Sequence, residues 1–282
     1  MNVWKLTLAY DGTPYYGWQI QPGLPTVQGA LAEAIRRTTG ERVLPQGSGR
    51  TDAGVHALGQ VASFALKAPI PAANLLRALN RCLPPSIRVM TAEPQTPDFH
   101  ARHSAIRKTY EYKIFKAYSK SNTSAESEPR ICSPLLAPFV WACPWRLELD
   151  ALQRAAAQVV GTHDFSSFAA SDPDRSGRSL PDSEDVDAGA KTAVRTIYCS
   201  RWAEREGLLV YTVTGSGFLH HMVRNLVGTF VQAGSGRLDP EAIPGILAAR
   251  NRALCGPTAP ATGLFLVSVE YGRATETVGD AE

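Results

Sequence analysis

The 282-residue chain has little cysteine: Cys82, Cys132, Cys143, Cys199 and Cys255, scattered and without a CxxC pair. An odd, dispersed set excludes a disulfide framework and a zinc ribbon, and it fits a reducing cytoplasm in which each thiol is small apolar filler. No run approaches the ~20 apolar residues of a membrane helix. The N-terminus, MNVWKLTLAYDG, lacks the apolar stretch and small-residue cleavage site of a signal peptide and reads as a strand. There is no HExxH, no Walker A loop and no GxGxxG before a helix. His220 and His221 are adjacent, and on a helix neighbours point about 100° apart, so no metal site is expected there. What remains, 44% hydrophobic and 20% charged residues, is the composition of an ordinary globular chain rather than a disordered one.

Net charge is only +3, but it is unevenly spread. Residues 1–120 carry 15 Lys and Arg against 7 Asp and Glu, whereas the segment 171–190 holds six acids against Arg175 and Arg178. A basic body with an acidic insertion is compatible with a polyanionic partner, and equally with a mildly basic enzyme that has none.

Hydrophobic periodicity lays out two α/β halves. Residues 3–10 alternate as a half-buried strand. A helix is expected from Thr26, its N-cap, to Gly40. A strand passes through 60–64, a second helix covers 72–82 and ends at Pro84-Pro85, and an extended segment spans 87–90. The second half repeats the plan: a strand at 109–115, a helix over 149–160, strands at 192–202 and 208–214, a long helix from about Phe218, another after Asp239-Pro240, and a last strand at 263–271. The expected division is 1–107, 108–272 and a flexible tail 273–282, with polar, aperiodic insertions at 118–130 and 171–190. The halves share little identity beyond a Gly-Ser-Gly after a strand in each, at 47–49 and 215–217.

The densest chemical signal is G-S-G-R-T-D-A-G-V-H, residues 47–56. Three glycines in eight residues mark a backbone held in unusual conformations or brought close to a ligand. Asp52 within it reads either as a turn residue capping its own backbone or as a reactive carboxylate. Tyr110 lies on an alternating strand beside Arg107 and Lys108, an arrangement suited to stacking a base and also to core packing. Arg224 sits at the edge of the apolar stripe Leu219, Val223, Leu226, Val227 and Phe230, where an arginine either snorkels to solvent or reaches over a cleft rim to a carboxylate.

Seven segments together resemble the TruA-type tRNA pseudouridine synthases: Y-D-G-T-P-Y-Y-G-W-Q-I-Q (10–21), G-R-T-D-A-G-V-H (49–56), D-F-H-A-R (98–102), K-T-Y-E-Y (108–112), H-D-F-S-S-F (163–168), H-H-M-V-R-N-L-V-G (220–228) and G-L-F-L-V (263–267). The resemblance implies an α/β (α+β) fold of two halves with mainly antiparallel RRM/ferredoxin-like sheets, related by a pseudo-twofold with the active-site cleft between them. It implies a cytoplasmic homodimer gripping the anticodon arm of one tRNA, and isomerisation of uridine to pseudouridine at tRNA positions 38, 39 and 40. By position Asp52 matches the catalytic aspartate, Arg224 the arginine paired with it and Tyr110 the substrate-binding tyrosine. Leu264 matches the aliphatic residue lining the uracil pocket, and Arg50 the arginine that helps displace the target nucleotide.

That reaction breaks the N1–C1′ bond, turns the base and rejoins it through C5, with no redox change and no energy input, so no cofactor is expected. Flipping the base costs a few kcal/mol, of which a tyrosine face returns about 1–3. An aspartate acting as a nucleophile at C1′ or a base at C2′ must be ionised, and a paired arginine favours that. Loss of the C5 proton needs a base, for which Asp52 or Tyr110 could serve. A non-catalytic RNA-binding protein on an RRM-like sheet would share the aromatic strands but have no use for Asp52 among cations. A nucleoside hydrolase would need a second carboxylate, with Asp98 as the motif-borne candidate and a plain turn residue as its alternative.

Overall fold

A computed structural model describes residues 1–118, 130–170 and 192–272. The expected insertion 171–190 and the tail 273–282 lie outside these residues, as does the stretch 118–130 apart from its two end residues.

Alternation along the first strand, β1 (Asn2–Tyr10), buries Trp4, Leu6, Leu8 and Tyr10 and leaves the residues between them half exposed. Helix α1 (Val27–Thr39) begins where Thr26 accepts a hydrogen bond from the Gly29 amide at 3.3 Å, and it stops at Gly40, whose φ of 77° ends the turn. Its buried face, Val27, Leu31, Ala34 and Ile35, is the face that the sequence pattern marks. Strands β2 (Gln46–Gly47) and β3 (His56–Leu66) follow, then α2 (Ala72–Cys82) and β4 (Ile87–Gln95). The Asn80 side chain pins α2 to β4, donating to the Val89 carbonyl at 2.8 Å and accepting from its amide at 2.9 Å.

The remaining elements are β5 (Ala105–Lys116), β6 (Trp141–Cys143), α3 (Leu149–Ala157), β7 (Gly161–Asp164), β8 (Val194–Arg205), β9 (Leu208–Gly215), α4 (Met222–Gly234), α5 (Ile243–Ala249) and β10 (Leu264–Tyr271). All ten strands join one sheet in the order β4-β1-β3-β10-β5-β9-β8-β7, with β2 paired to β3 and β6 to β5. Pairing is antiparallel except for β10 with β3 and β5 with β6. The last strand therefore sits in the middle: Phe265 and Leu266 lie beside His56 and Ala57, and the other edge of β10 pairs with β5. The result is a mixed α/β fold with a large, mostly antiparallel sheet, as the sequence implies.

The boundaries depart from expectation at particular places. The helix expected from Phe218 starts at Met222, because His221 adopts φ 56° and turns the chain just before it. The helix expected to reach residue 160 ends at Ala157, and β8 runs to Arg205. A short 3-10 turn, Pro240–Ala242, precedes α5. Strands β2, β6 and β7 are two to four residues long, too short to carry a period.

Candidate active site

The loop between β2 and β3 carries Asp52, and neighbouring segments hold it from several sides. The Ser48 amide donates to the Val61 carbonyl at 2.7 Å, and the Ser48 hydroxyl donates to Gln60 Oε1 at 2.7 Å. Gln60 Nε2 donates to the Gly49 carbonyl at 3.0 Å. Thr51 Oγ1 lies 2.9 Å from the buried Tyr10 hydroxyl, whose pKa burial pushes up to about 12, so the pair is a neutral hydrogen bond. The Thr51 carbonyl accepts from the Trp18 amide at 3.0 Å, so the aromatic-rich segment after β1 underpins the loop. This contact requires Gly17: its φ is 87°, and a Cβ there would stand 2.5 Å from the same carbonyl. The turn closes with the Val55 amide on the Asp52 carbonyl at 3.1 Å, and Gly54 supplies the positive φ, 76°, in its third position.

The Asp52 side chain leaves this loop and meets helix α4. Arg224 Nη1 donates to Asp52 Oδ2 at 2.8 Å, and the two side chains are 16% and 21% exposed. Arg224 Nε is fixed in turn on the Ala259 carbonyl at 2.8 Å, while the Ala259 amide donates to the Arg224 carbonyl at 3.1 Å. The Asp52 side chain is thus paired with Arg224, and Arg224 reaches the carboxylate as well as the Ala259 carbonyl.

Tyr110 is buried on β5 with its ring edge-on to Phe218, centroids 5.0 Å apart. Burial, with Tyr10 and the Asp52 charge nearby, drives its hydroxyl pKa well above the usual phenol value. Tyr112 is also buried, its hydroxyl donating to the Pro260 carbonyl at 2.8 Å, so both tyrosines of the K-T-Y-E-Y strand face inward. Leu264 begins β10 opposite Tyr112 and is 5% exposed. Arg50, two residues before Asp52, is exposed to solvent. Asp98 is a turn residue: the Thr96 side chain and its own backbone amide hold its carboxyl below the ordinary range. His56 is structural, accepting from the Gly12 amide at Nδ1 (3.1 Å) and facing the Pro138 carbonyl with Nε2 (3.1 Å).

One expectation is corrected. His220 and His221 do not diverge, because they precede α4 rather than lying on it. The left-handed backbone of His221 stacks the two rings, centroids 3.9 Å apart, and turns both toward Asp52. His221 Nε2 is 3.3 Å from Asp52 Oδ2 and His220 Nε2 is 3.6 Å from Oδ1. Among the described residues this is a three-group cluster that could reach one cation, although Arg224 already places a positive charge on the carboxylate. Burial is the main cause that lowers the pKa of His221, the positive charge of His220, Arg224 and Arg252 adds to it, and Asp52 opposes. Sequence reasoning missed this pair because one residue's φ decides where both rings point.

Comparison with known proteins identifies the family. Residues 7–104 and 155–272 match the family described as tRNA pseudouridine synthase. A protein of Solibacter usitatus named tRNA pseudouridine synthase A is 46% identical over 268 residues, 95% of this chain and 98% of that protein. Proteins of the same name from Moorella thermoacetica (44% over 273 residues) and Caldicellulosiruptor bescii (40% over 267 residues) match 96% and 94% of this chain and 100% and 98% of their own lengths. A family match over residues 7–104 and 155–272, the Asp52 loop and the Arg224 helix included, together with relatives alike over nearly their whole length, places the chain in the tRNA pseudouridine synthase family.

Proposed function

We propose that the chain isomerises uridine to pseudouridine in the anticodon arm of tRNA, at positions 38, 39 and 40, with Asp52 as the reacting carboxylate. The observation that carries this reading is the ion pair of Asp52 with Arg224. With Oδ2 occupied by Arg224 Nη1 at 2.8 Å, Oδ1 is, among the described residues, the oxygen without a close donor, His220 standing 3.6 Å away. Oδ1 then acts on the ribose, as nucleophile at C1′ or base at C2′, while the guanidinium holds the carboxylate in place from the Oδ2 side. The carboxylate also faces the positive charge that develops at C1′ as N1–C1′ breaks. The base turns and C5 bonds to C1′, displacing Oδ1 on the nucleophilic route or with the proton returned to C2′ on the other; the C5 proton then leaves and N1 gains a proton.

Tyr110 takes the role of a stacking and packing platform rather than that of a base. Burial raises its phenol pKa, which makes it a poor acceptor for the C5 proton, and Asp52 is the base assigned to that step. Leu264 lines the uracil side of the cleft, and exposed Arg50 reaches the displaced strand. A non-catalytic RNA-binding protein would leave the Asp52–Arg224 pair without a purpose. On this reading the enzyme works as a homodimer in the cytoplasm, where its free cysteines stay reduced. Among the described residues no helix is long and apolar enough to cross a membrane.

The test is Asp52→Asn, which keeps the side chain's shape and removes its charge. Unmodified tRNA transcripts incubated with the variant and mapped with carbodiimide should carry no pseudouridine, while tRNA binding persists. Modification above a blank would remove Asp52 from the reaction.

A further inference from the structure

The two Gly-Ser-Gly segments, one from each half, have no part in the Asp52–Arg224 pair, yet they meet at one side chain. Lys108 on β5 is paired in register with Gly215, the first residue of the second segment. Its Nζ donates to the carbonyl of Ser48, the middle residue of the first, at 2.5 Å. The missing side chain of Gly49 leaves the space next to Nζ open, since a Cβ there would lie 3.2 Å from it. At the second segment, the missing side chain of Gly215 makes room for Phe218, the ring that packs against Tyr110. The Ser216 amide donates to the Thr196 carbonyl at 2.9 Å, and the Thr196 amide returns a bond to Ser216 Oγ at 3.2 Å. This tie holds the segment beside Arg195, whose Nε lies 3.7 Å from where a Gly217 Cβ would stand.

The charges here are one-sided. Arg195 spends its Nη1 on the Thr192 and Val194 carbonyls, and Lys108 donates to Ser48. Among the described residues neither cation has a carboxylate partner. Burial first, then the positive charges of Arg102 and Arg195, push the Lys108 pKa down to about 8. Burial desolvates a paired cation as well, but its counter-ion offsets much of that loss, and an arriving anion would do so here. Lys108 and Tyr110 are two positions apart on one strand, so they share a face and stand about 6.8 Å apart along it. That spacing is comparable with the reach from the base of one nucleotide to its own phosphate.

We propose that Lys108 and Arg195, with the Gly47–Gly49 and Gly215–Gly217 segments around them, form a phosphate subsite that holds the phosphodiester of the target uridine while its base lies against Tyr110. The proposal rests on the cleft of Asp52 and Tyr110 being the uridine site. Lys108 would otherwise be a strut that keeps the Asp52 loop in place through Ser48. The two roles differ in what they leave in the data.

The experiment compares the wild type with Lys108→Met and Lys108→Arg. The slope of log affinity for tRNA against log salt should shrink by about 0.7–0.9 in Lys108→Met, the loss of one phosphate contact, and return in Lys108→Arg. KM should rise by more than kcat falls. An unchanged slope with a fall confined to kcat is the strut's signature and overturns the subsite. In a second arm, uridine, uridine 5′-monophosphate and inorganic phosphate compete with tRNA on the wild type and on Lys108→Arg. The monophosphate should inhibit about tenfold better than uridine, the value of one charge-assisted contact, on both proteins. Uridine competing as well as its monophosphate overturns the subsite and leaves the uridine site standing. Inorganic phosphate matching the monophosphate also overturns it, since the anion is then not held as part of the nucleotide. If neither uridine nor its monophosphate competes, the underlying assignment of the cleft fails as well, and Asp52→Asn should then remain active.

Discussion

Replacing Arg224 by Met keeps the apolar stem of the side chain and removes two bonds, one to Asp52 Oδ2 and one to the Ala259 carbonyl, each 2.8 Å. Breaking a fully buried ion pair costs roughly 3–5 kcal/mol and an exposed one under about 1. With side chains 16% and 21% exposed, this pair falls between them. Its loss is expected to cost about 2 kcal/mol, and the unpaired carbonyl adds about 1. For a chain of this size, ~3 kcal/mol lowers Tm by roughly 6–12 °C. Lysine is expected to recover only part of this, because a single ammonium cannot reach Asp52 and the Ala259 carbonyl in the directions that a guanidinium serves with separate nitrogens. The assay is urea unfolding of the wild type, Arg224→Met, Asp52→Asn and the double variant, with turnover measured on each. The double variant should lose less than the sum of the singles, by about 1 kcal/mol or more, because removing the second partner relieves the isolation of the first. Additive losses together with an active Arg224→Met enzyme would refute the argument, since the contact would then carry neither stability nor chemistry.

The other expected outcomes follow from the same surroundings. Gly228→Ala would set a Cβ 1.7 Å from the Pro257 carbonyl oxygen, backbone against backbone, so it should cost more than ~3 kcal/mol. It should also displace the segment that carries Ala259, and full activity of a folded variant would contradict that. Burial lowers the pKa values of both His56 and His221, so below about pH 6.5 the unfolded chain binds protons that the folded chain does not. Tm should therefore fall as pH drops from 7 toward 5, above the range where carboxylates titrate, and a flat profile would refute the burial argument. Turnover should survive exhaustive chelation, and a loss restored by one divalent cation would instead put that ion on Asp52, His220 and His221.

How far the sequence could be read depends on how far apart the cooperating groups lie along it. The first helix is legible because every determinant is local: Thr26 caps it, an apolar stripe faces the sheet, and Gly40 ends it at φ 77°. The Asp52 loop is legible as unusual, because glycines at such density mark a constrained backbone. Its meaning is not local. Asp52 and Arg224 are 172 residues apart, and nothing in the pattern around either residue specifies the other. Only the resemblance of whole motifs links them. The central place of β10 is hidden for the same reason: two residue pairs with β3 set the last strand between β3 and β5.

The histidine pair shows a different limit. Adjacent residues on a helix must diverge, so the inference from His220-His221 to no shared target is sound wherever the helix includes them. Here it does not, because one non-glycine residue holds φ 56° at the entry to α4. Such a conformation costs roughly 1 kcal/mol or more, and it persists only where neighbouring contacts enforce it. Enforcement is visible on both sides: the Asn225 amide bonds the His221 carbonyl at 2.9 Å, and the Ala170 amide bonds the His220 carbonyl at 3.1 Å. Both rings are thus held toward the carboxylate by residues that never touch it. The strain sits at the one place where α4 must deliver Arg224 and two imidazoles to the same side chain, and a regular helix start could not deliver all three.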